Sequence, residues 1–217
     1  MDAATVGDNL GRVRDQIVAA GGDPERVQIL AVTKGFGPEA PTAALGAGLS
    51  DLGENYAQEL ADKAPAVDGD PSWHFIGRLQ SNKVKLVADL VSVWQSVDRS
   101  SLVDEITKRA PGARILVQVN ATGESQKGGC AVPDVPDLVA RATEGGLTVE
   151  GLMTVGVDGD DDATALAFER VAGLVADLGL REASMGMTAD LALAVRAGST
   201  QVRVGRALFG ARPERRR

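Results

Sequence analysis

The chain has 217 residues, 44% of them hydrophobic and only 3% aromatic, with a formal net charge of −7, one cysteine and one histidine. A soluble globular fold whose core is built from Ala, Val and Leu fits these totals, and the acidic balance excludes a general nucleic-acid binder, which would present a basic surface. A lone cysteine excludes an intrachain disulfide, and one Cys with one His excludes the usual Cys/His zinc sites.

No run approaches the roughly 20 apolar residues of a membrane span. The start, Met1-Asp2-Ala3-Ala4, lacks the basic and apolar regions of a signal peptide. A cytoplasmic protein is expected, with neither membrane nor nucleic acid as partner. No linker, composition shift or low-complexity run divides residues 1–217, so one domain is expected. The last residues, 210–217, read as a frayed tail, and the arginines from Arg212 to Arg217 as a solvated end.

Taken in order, residues 2–20 repeat apolar side chains at Val6, Leu10, Val13 and Ile17, the spacing of an amphipathic helix. A first strand spans 27–33, where Ile29-Leu30-Ala31-Val32 runs into Thr33-Lys34-Gly35. Continuous apolarity of this kind marks a strand buried on both faces. A helix over 38–48 and a short strand over 50–52 lead to Gly53-Glu54-Asn55-Tyr56. Then come a helix over 57–66, a strand over 73–77, a helix over 79–88 and a strand over 90–94. Leu102, Val103, Ile106 and Ala110 mark the next helix, and 114–119 the fifth strand, followed by Asn120 and a loop holding Lys127. A helix over 134–144, a strand over 148–153 and a helix over 161–178 come next. The remaining elements are a strand over 182–184, a helix over 188–197 and a strand over 201–204, with 207–210 closing the chain.

Strands alternating with helices pair in parallel through right-handed crossovers. Eight such units, preceded by an extra N-terminal helix, predict a single α/β domain of the (β/α)8 TIM-barrel class, with a doubly wound open sheet as the alternative. In a barrel, function gathers at the carboxyl ends of the strands. Those ends carry Lys34, Asn55, Asn120, Met153 with Thr154, Ser184, and Arg203 followed by Val204-Gly205. Lysine is scarcer than arginine here, and one held at the mouth of a core strand can supply an amine for a Schiff base. The plain alternative is a lysine reaching out to solvent.

Ser184-Met185-Gly186-Met187-Thr188 precedes a helix, with Thr188 as its expected N-cap. Hydroxyls, a glycine that permits close approach and free N–H groups at a helix start make an anion site, with simple capping as the alternative. Arg203 lies between Val202 and Val204, so alternation turns it the opposite way, into the barrel. Its partner there is a phosphate, a ring nitrogen or a buried carboxylate. Lysine, anion cradle and inward arginine together point to pyridoxal 5'-phosphate. Trp73, Trp94 and His74 read as packed core residues, Cys130 as a small apolar loop residue, and Glu54 as a structural pair or cap.

On the segments Ala31-Val32-Thr33-Lys34, Gly53 to Glu59, Trp73 to Lys83, Gly151-Leu152-Met153, Ser184 to Asp190 and Gly198 to Gly205, the chain resembles the YggS/PROSC pyridoxal-phosphate homeostasis proteins, relatives of the alanine racemase N-terminal barrel (fold type III). The resemblance implies Lys34 as the Schiff-base lysine and Arg203 near the pyridine nitrogen. It implies Ser184, Gly186, Thr188 and Gly205 around the phosphate, Asn55 against the ring, Met153 among the cofactor contacts and Lys127 as a mobile second lysine. Thr33 and Thr188 stand where the family usually has serine, and Ala121-Thr122-Gly123 departs from its usual loop.

A fold-III racemase also needs an acid/base on the second face of its substrate, which alanine racemase takes from a further domain. The one tyrosine here, Tyr56, follows the second strand. The expected function is therefore cofactor homeostasis by a monomer that holds and passes on the aldehyde, with pyridoxal-phosphate-dependent apo-enzymes as recipients. An amino-acid racemase or decarboxylase is the alternative.

Overall fold

The protein is described from a computed structural model that covers residues 1–124 and 128–212. Its first element, α1 (Ala3–Ala19), buries Val6, Leu10, Val13 and Ile17, the stripe that spacing predicts. The Asp2 carboxylate accepts the Thr5 N–H at 2.8 Å and caps the helix.

Among the described residues nine strands follow: β1 (Gln28–Val32), β2 (Asp51–Glu54), β3 (Ser72–Phe75), β4 (Val91–Val97), β5 (Arg114–Asn120), β6 (Cys130–Ala131), β7 (Thr148–Met153), β8 (Glu182–Ser184) and β9 (Gln201–Val204). Between and after them run α2 (Glu39–Gly46), α3 (Ala57–Lys63), α4 (Val84–Val87), α5 (Ser100–Arg109), α6 (Val135–Glu144), α7 (Asp161–Asp177), α8 (Leu191–Arg196) and α9 (Arg206–Phe209). All strand pairings are parallel, in the order β4-β3-β2-β1-β9-β8-β7-β5, and β4 pairs β5 to close the ring. This is the closed eight-stranded barrel expected from the alternation. The two-residue β6, which the sequence does not announce, adds to the edge of β5 beyond the ring.

Outward-facing strand residues such as Ile29, Leu52, Trp73, Phe75, Trp94, Ile115 and Val202 meet the helices in one large apolar core. Trp94 and Phe75 pack with ring centroids 6.3 Å apart. Burying this layer is the main favourable term of the fold. Helix α1 packs against α2, α8 and α9, so it bridges the first and last crossovers. Asn9 Nδ2 donates to Leu208 O at 2.8 Å across that seam. Inside the barrel the apolar cluster is small: Val93, Leu116 and Met153, with Val155 against them. Among the described residues no helix is long and apolar enough to cross a membrane.

Two expected elements differ. The helix over 79–88 is a 3-10 turn at Ser81–Lys83 followed by the single turn of α4. Helix α8 begins at Leu191, three residues later than expected, and its N-cap position is Asp190, not Thr188. The Asp190 carboxylate accepts the Met187 N–H at 2.5 Å, a local turn that holds 187–190 out of the helix.

Candidate functional site

The strand pairings decide which loops are neighbours at the mouth. Val32 of β1 pairs with Gly53 of β2, Leu30 and Ala31 of β1 with Arg203 and Val204 of β9, and Ser184 of β8 with Gln201 of β9. The segments that follow β1, β2, β8 and β9 therefore share one arc of the rim, and they carry Lys34, Asn55, Gly186 and Gly205.

Lys34 leaves β1 half-buried and makes no hydrogen bond or ion pair with a described residue. Burial, and then the nearby Arg212 and Arg203, hold its pKa below the ordinary lysine value, while Glu54 and Glu59 pull the other way. Less of the side chain is then ammonium and more is nucleophilic amine. Arg212 is exposed yet not detached: a Cβ built on Gly35 would stand 3.0 Å from Arg212 Cδ, so this arginine lies across the lysine loop. The rest of the expected tail, 213–217, and Lys127 lie outside the described residues.

The lysine loop is braced from below. Lys63 of α3 donates to Glu54 Oε1 at 2.6 Å, to Glu59 Oε1 at 3.0 Å and to Thr33 O at 2.9 Å. Thr33 Oγ1 donates to the same Glu54 oxygen at 2.7 Å, and the Gly35 N–H to Glu59 Oε1 at 2.5 Å. Burial pushes the Glu54 carboxyl up, against the pull of Lys63 and Thr33. Glu54 is thus the structural pair it was expected to be. Lys63 was missed, and its signal was the i,i+4 spacing to Glu59 on one short helix.

Arg203 faces into the barrel, as alternation predicts, and is 4% exposed. Nη1 donates to Ser184 O at 2.6 Å and to Ser184 Oγ at 2.9 Å, and Nη2 to Thr154 O at 2.7 Å. Among the described residues it has no ion pair, so the buried-carboxylate alternative does not apply. Burial lowers its pKa to about 10, with Asp190 opposing, and the group is still a cation at neutral pH. Three of its five N–H groups are accounted for by these bonds.

The other expected residues divide. Ser184 is buried with its hydroxyl turned inward, donating to Gln95 Oε1 at 2.8 Å. Gly186 has φ 84°, and an added Cβ would stand 2.4 Å from Ala194 Cβ, so only glycine lets this turn settle on α8. Gly205 runs close to β1, where a Cβ would be 3.1 Å from Val32 O. Among the described residues the buried Asn55 Oδ1 has no hydrogen-bond partner. Gly77 makes room beside it, since a Cβ there would fall 2.1 Å from Asn55 O. Met153 belongs to the apolar cluster inside the barrel. Thr188 is exposed, away from the N-cap position assigned to it. His74 lies inside the barrel among Asp51, Ser72 and Gln95, a packed histidine. Burial pushes the Cys130 thiol up to about 11, and the residue stands on β6 and not in a loop as expected.

Comparison with known proteins follows this geometry. The family model "alanine racemase, N-terminal domain" matches residues 2–213. The pyridoxal phosphate homeostasis protein of Pseudomonas aeruginosa is 39% identical over 222 residues, 96% of each chain. That of Escherichia coli is 36% identical, covering 94% of this chain and 95% of the relative. Among solved structures, PipY of Synechococcus elongatus with pyridoxal phosphate bound superposes with a TM-score of 0.84 at 28% identity, over 94% of this chain and all (100%) of that one. Alanine racemase of Corynebacterium glutamicum shares the fold, with a TM-score of 0.75 at 14% identity over 98% of this chain and 62% of its own.

Proposed function

We propose, from the premise that this chain belongs to the alanine racemase N-terminal-domain family and within it to the pyridoxal phosphate homeostasis proteins, that it binds pyridoxal 5'-phosphate on Lys34 and buffers or delivers it without sustained turnover. The observation that carries the reading is Lys34 itself, a half-buried amine at the barrel mouth with lowered pKa and two arginines beside it. The residues fit the cofactor on a second count: a buried guanidinium without a carboxylate, next to an arc that holds the unpartnered Asn55 Oδ1.

When bound, pyridoxal 5'-phosphate supplies an aldehyde that a lysine amine can hold as a Schiff base with loss of water, and a pyridine ring that draws electrons. Lys34 provides that amine. Arg203 has N–H groups left that would donate to the ring nitrogen, and a permanent cation there would disfavour its protonation and keep the ring a weak electron sink. Ser184 acts through Arg203, whose guanidinium it accepts and orients. Gly186 and Gly205 would let backbone approach the phosphate, Thr188 would face it from the exposed side of the same turn, and Asn55 and Met153 would lie against the ring. Thr33, Glu54 and Lys63 hold the backbone that carries the lysine.

Racemisation would need a second acid/base opposite Lys34. Tyr56, the one tyrosine, is 54% exposed at the N-cap position of α3. That exposure supports holding without turnover, and the reading takes the protein to be a cytoplasmic monomer with pyridoxal-phosphate-dependent apo-enzymes as recipients. The test is to incubate the loaded protein with a panel of L- and D-amino acids. The reading expects no turnover above free cofactor, and steady racemisation or decarboxylation would replace it with the amino-acid enzyme.

A further inference from the structure

The inside of the barrel is filled largely by side-chain hydrogen bonds. Gln95 of β4 and Gln201 of β9 sit on strands that are not neighbours, yet Gln95 Nε2 donates to Gln201 Oε1 at 2.6 Å, so the two meet across the interior. Gln201 Nε2 donates to Gln28 Oε1 at 2.6 Å, and Gln28 Nε2 to Asp51 Oδ2 at 2.8 Å. Asp51 Oδ1 is 3.1 Å from His74 Nε2, and His74 Nδ1 is 2.7 Å from Gln95 Nε2. The five side chains form a closed ring. From it Ser184 Oγ reaches Gln95 Oε1 at 2.8 Å and Gln201 Oε1 at 3.1 Å, and accepts Arg203 Nη1 at 2.9 Å.

The direction of each bond follows from the two ends. A carboxylate only accepts, so the amide N–H of Gln28 must face Asp51. Gln28 then offers oxygen to Gln201, which must donate to it and turn its own oxygen to Gln95 and Ser184. Gln95 must donate to that oxygen, and its second N–H is left for His74 Nδ1. The imidazole accepts at Nδ1 and carries its hydrogen on Nε2, facing Asp51. At the far end a guanidinium only donates, so Ser184 accepts from Arg203 and gives its own proton back to the ring. No amide can turn over without setting donor against donor or acceptor against acceptor.

We propose that His74 is a positioning residue: the ring pins it as the Nε2–H tautomer and transmits that direction through Gln95 and Ser184 to the orientation of Arg203 at the mouth. Coupling between bottom and mouth is reciprocal, so a change at Arg203 is felt at the imidazole. The ring stands on geometry alone, while the response to the cofactor rests on the function proposed above.

One histidine in the chain makes the test simple. In the full chain carrying 15N-histidine, NMR is expected to show one imidazole with hydrogen on Nε2 and a bare Nδ1. Hydrogen on Nδ1, or an average of the two tautomers, overturns the proposal. Arg203→Lys and Ser184→Ala are expected to displace the Nδ1 resonance without any cofactor, and Gln95→Leu to release the imidazole into a mixture. Adding pyridoxal 5'-phosphate is expected to displace it again as the visible band forms. A band with an unmoved imidazole overturns the relay and leaves the cofactor reading intact. If no band forms, the cofactor reading falls, and the two mouth variants alone decide the relay: an unmoved Nδ1 resonance in both overturns it.

Discussion

Lys63 Nζ lies 2.6 Å from Glu54 Oε1, and neither side chain has more than 4% of its surface open to solvent. A buried pair of this kind contributes little net stability compared with an apolar pair, yet losing one member strands the other. Lys63→Met is expected to cost about 3–5 kcal/mol in urea unfolding, and Lys63→Met with Glu54→Leu to recover much of it. Equal losses in the single and double variants would show that the cost is packing.

Lys34 is expected to make its protonation visible in the kinetics of cofactor loading. Its pKa is lowered, so the reactive amine is gained as pH rises through a value below that of a free lysine. The initial rate of visible-band growth against pH should show its midpoint there. Arg212→Ala removes one of the two opposing cations and should move the midpoint to higher pH. Lys34→Ala should abolish the band.

Asp51 gives the acid side of the stability curve. Its hydrogen bond from His74, against burial and with help from Gln28, holds its pKa below the ordinary aspartate value of 3.8. The unfolded chain then takes up its proton first as pH falls, so this stabilisation is present above that value and lost as pH falls through the folded one. Thermal melts should find Asp51→Asn less stable than the parent chain at neutral pH, with the gap closing as pH falls below 3.8.

Two glycines should respond oppositely to alanine. Gly77→Ala puts a methyl 2.1 Å from the Asn55 carbonyl, a backbone atom that cannot swing away. About 1–3 kcal/mol of overpacking cost is expected, with weaker cofactor binding because Asn55 moves. Gly7 of α1 has nothing within 4 Å of its added methyl, and Gly7→Ala should gain about 0.5–1 kcal/mol in chemical denaturation.

The barrel was legible because its signals are local and repeated. Apolar runs such as Ile29 to Val32 name buried strands, and eight of them alternating with helices leave few topologies. Lys34 and Arg203 were legible for a related reason: one ends such a run and the other alternates with valines. The start of α8 was misread because Thr188 and Asp190 are both good caps, and only the bond from the Met187 N–H decides between them. Lys63 stayed hidden because a lysine on a short amphipathic helix reads as solvated until the strand-end carboxylate above it is known. The polar ring was wholly illegible. Gln28, His74, Gln95 and Gln201 stand on four strands, and nothing near any of them in the chain says that they meet.

Leu30 pairs with Arg203, so the first strand to be made is sealed by the last. During synthesis a ribosome releases Lys34 well before the arginine that faces the same mouth. A nascent chain therefore offers an amine with neither its neighbouring cation nor its closed wall. On the proposed function, stable holding of the aldehyde is expected only once β9 docks, and a colour assay on a stalled chain series would date the completion of the barrel.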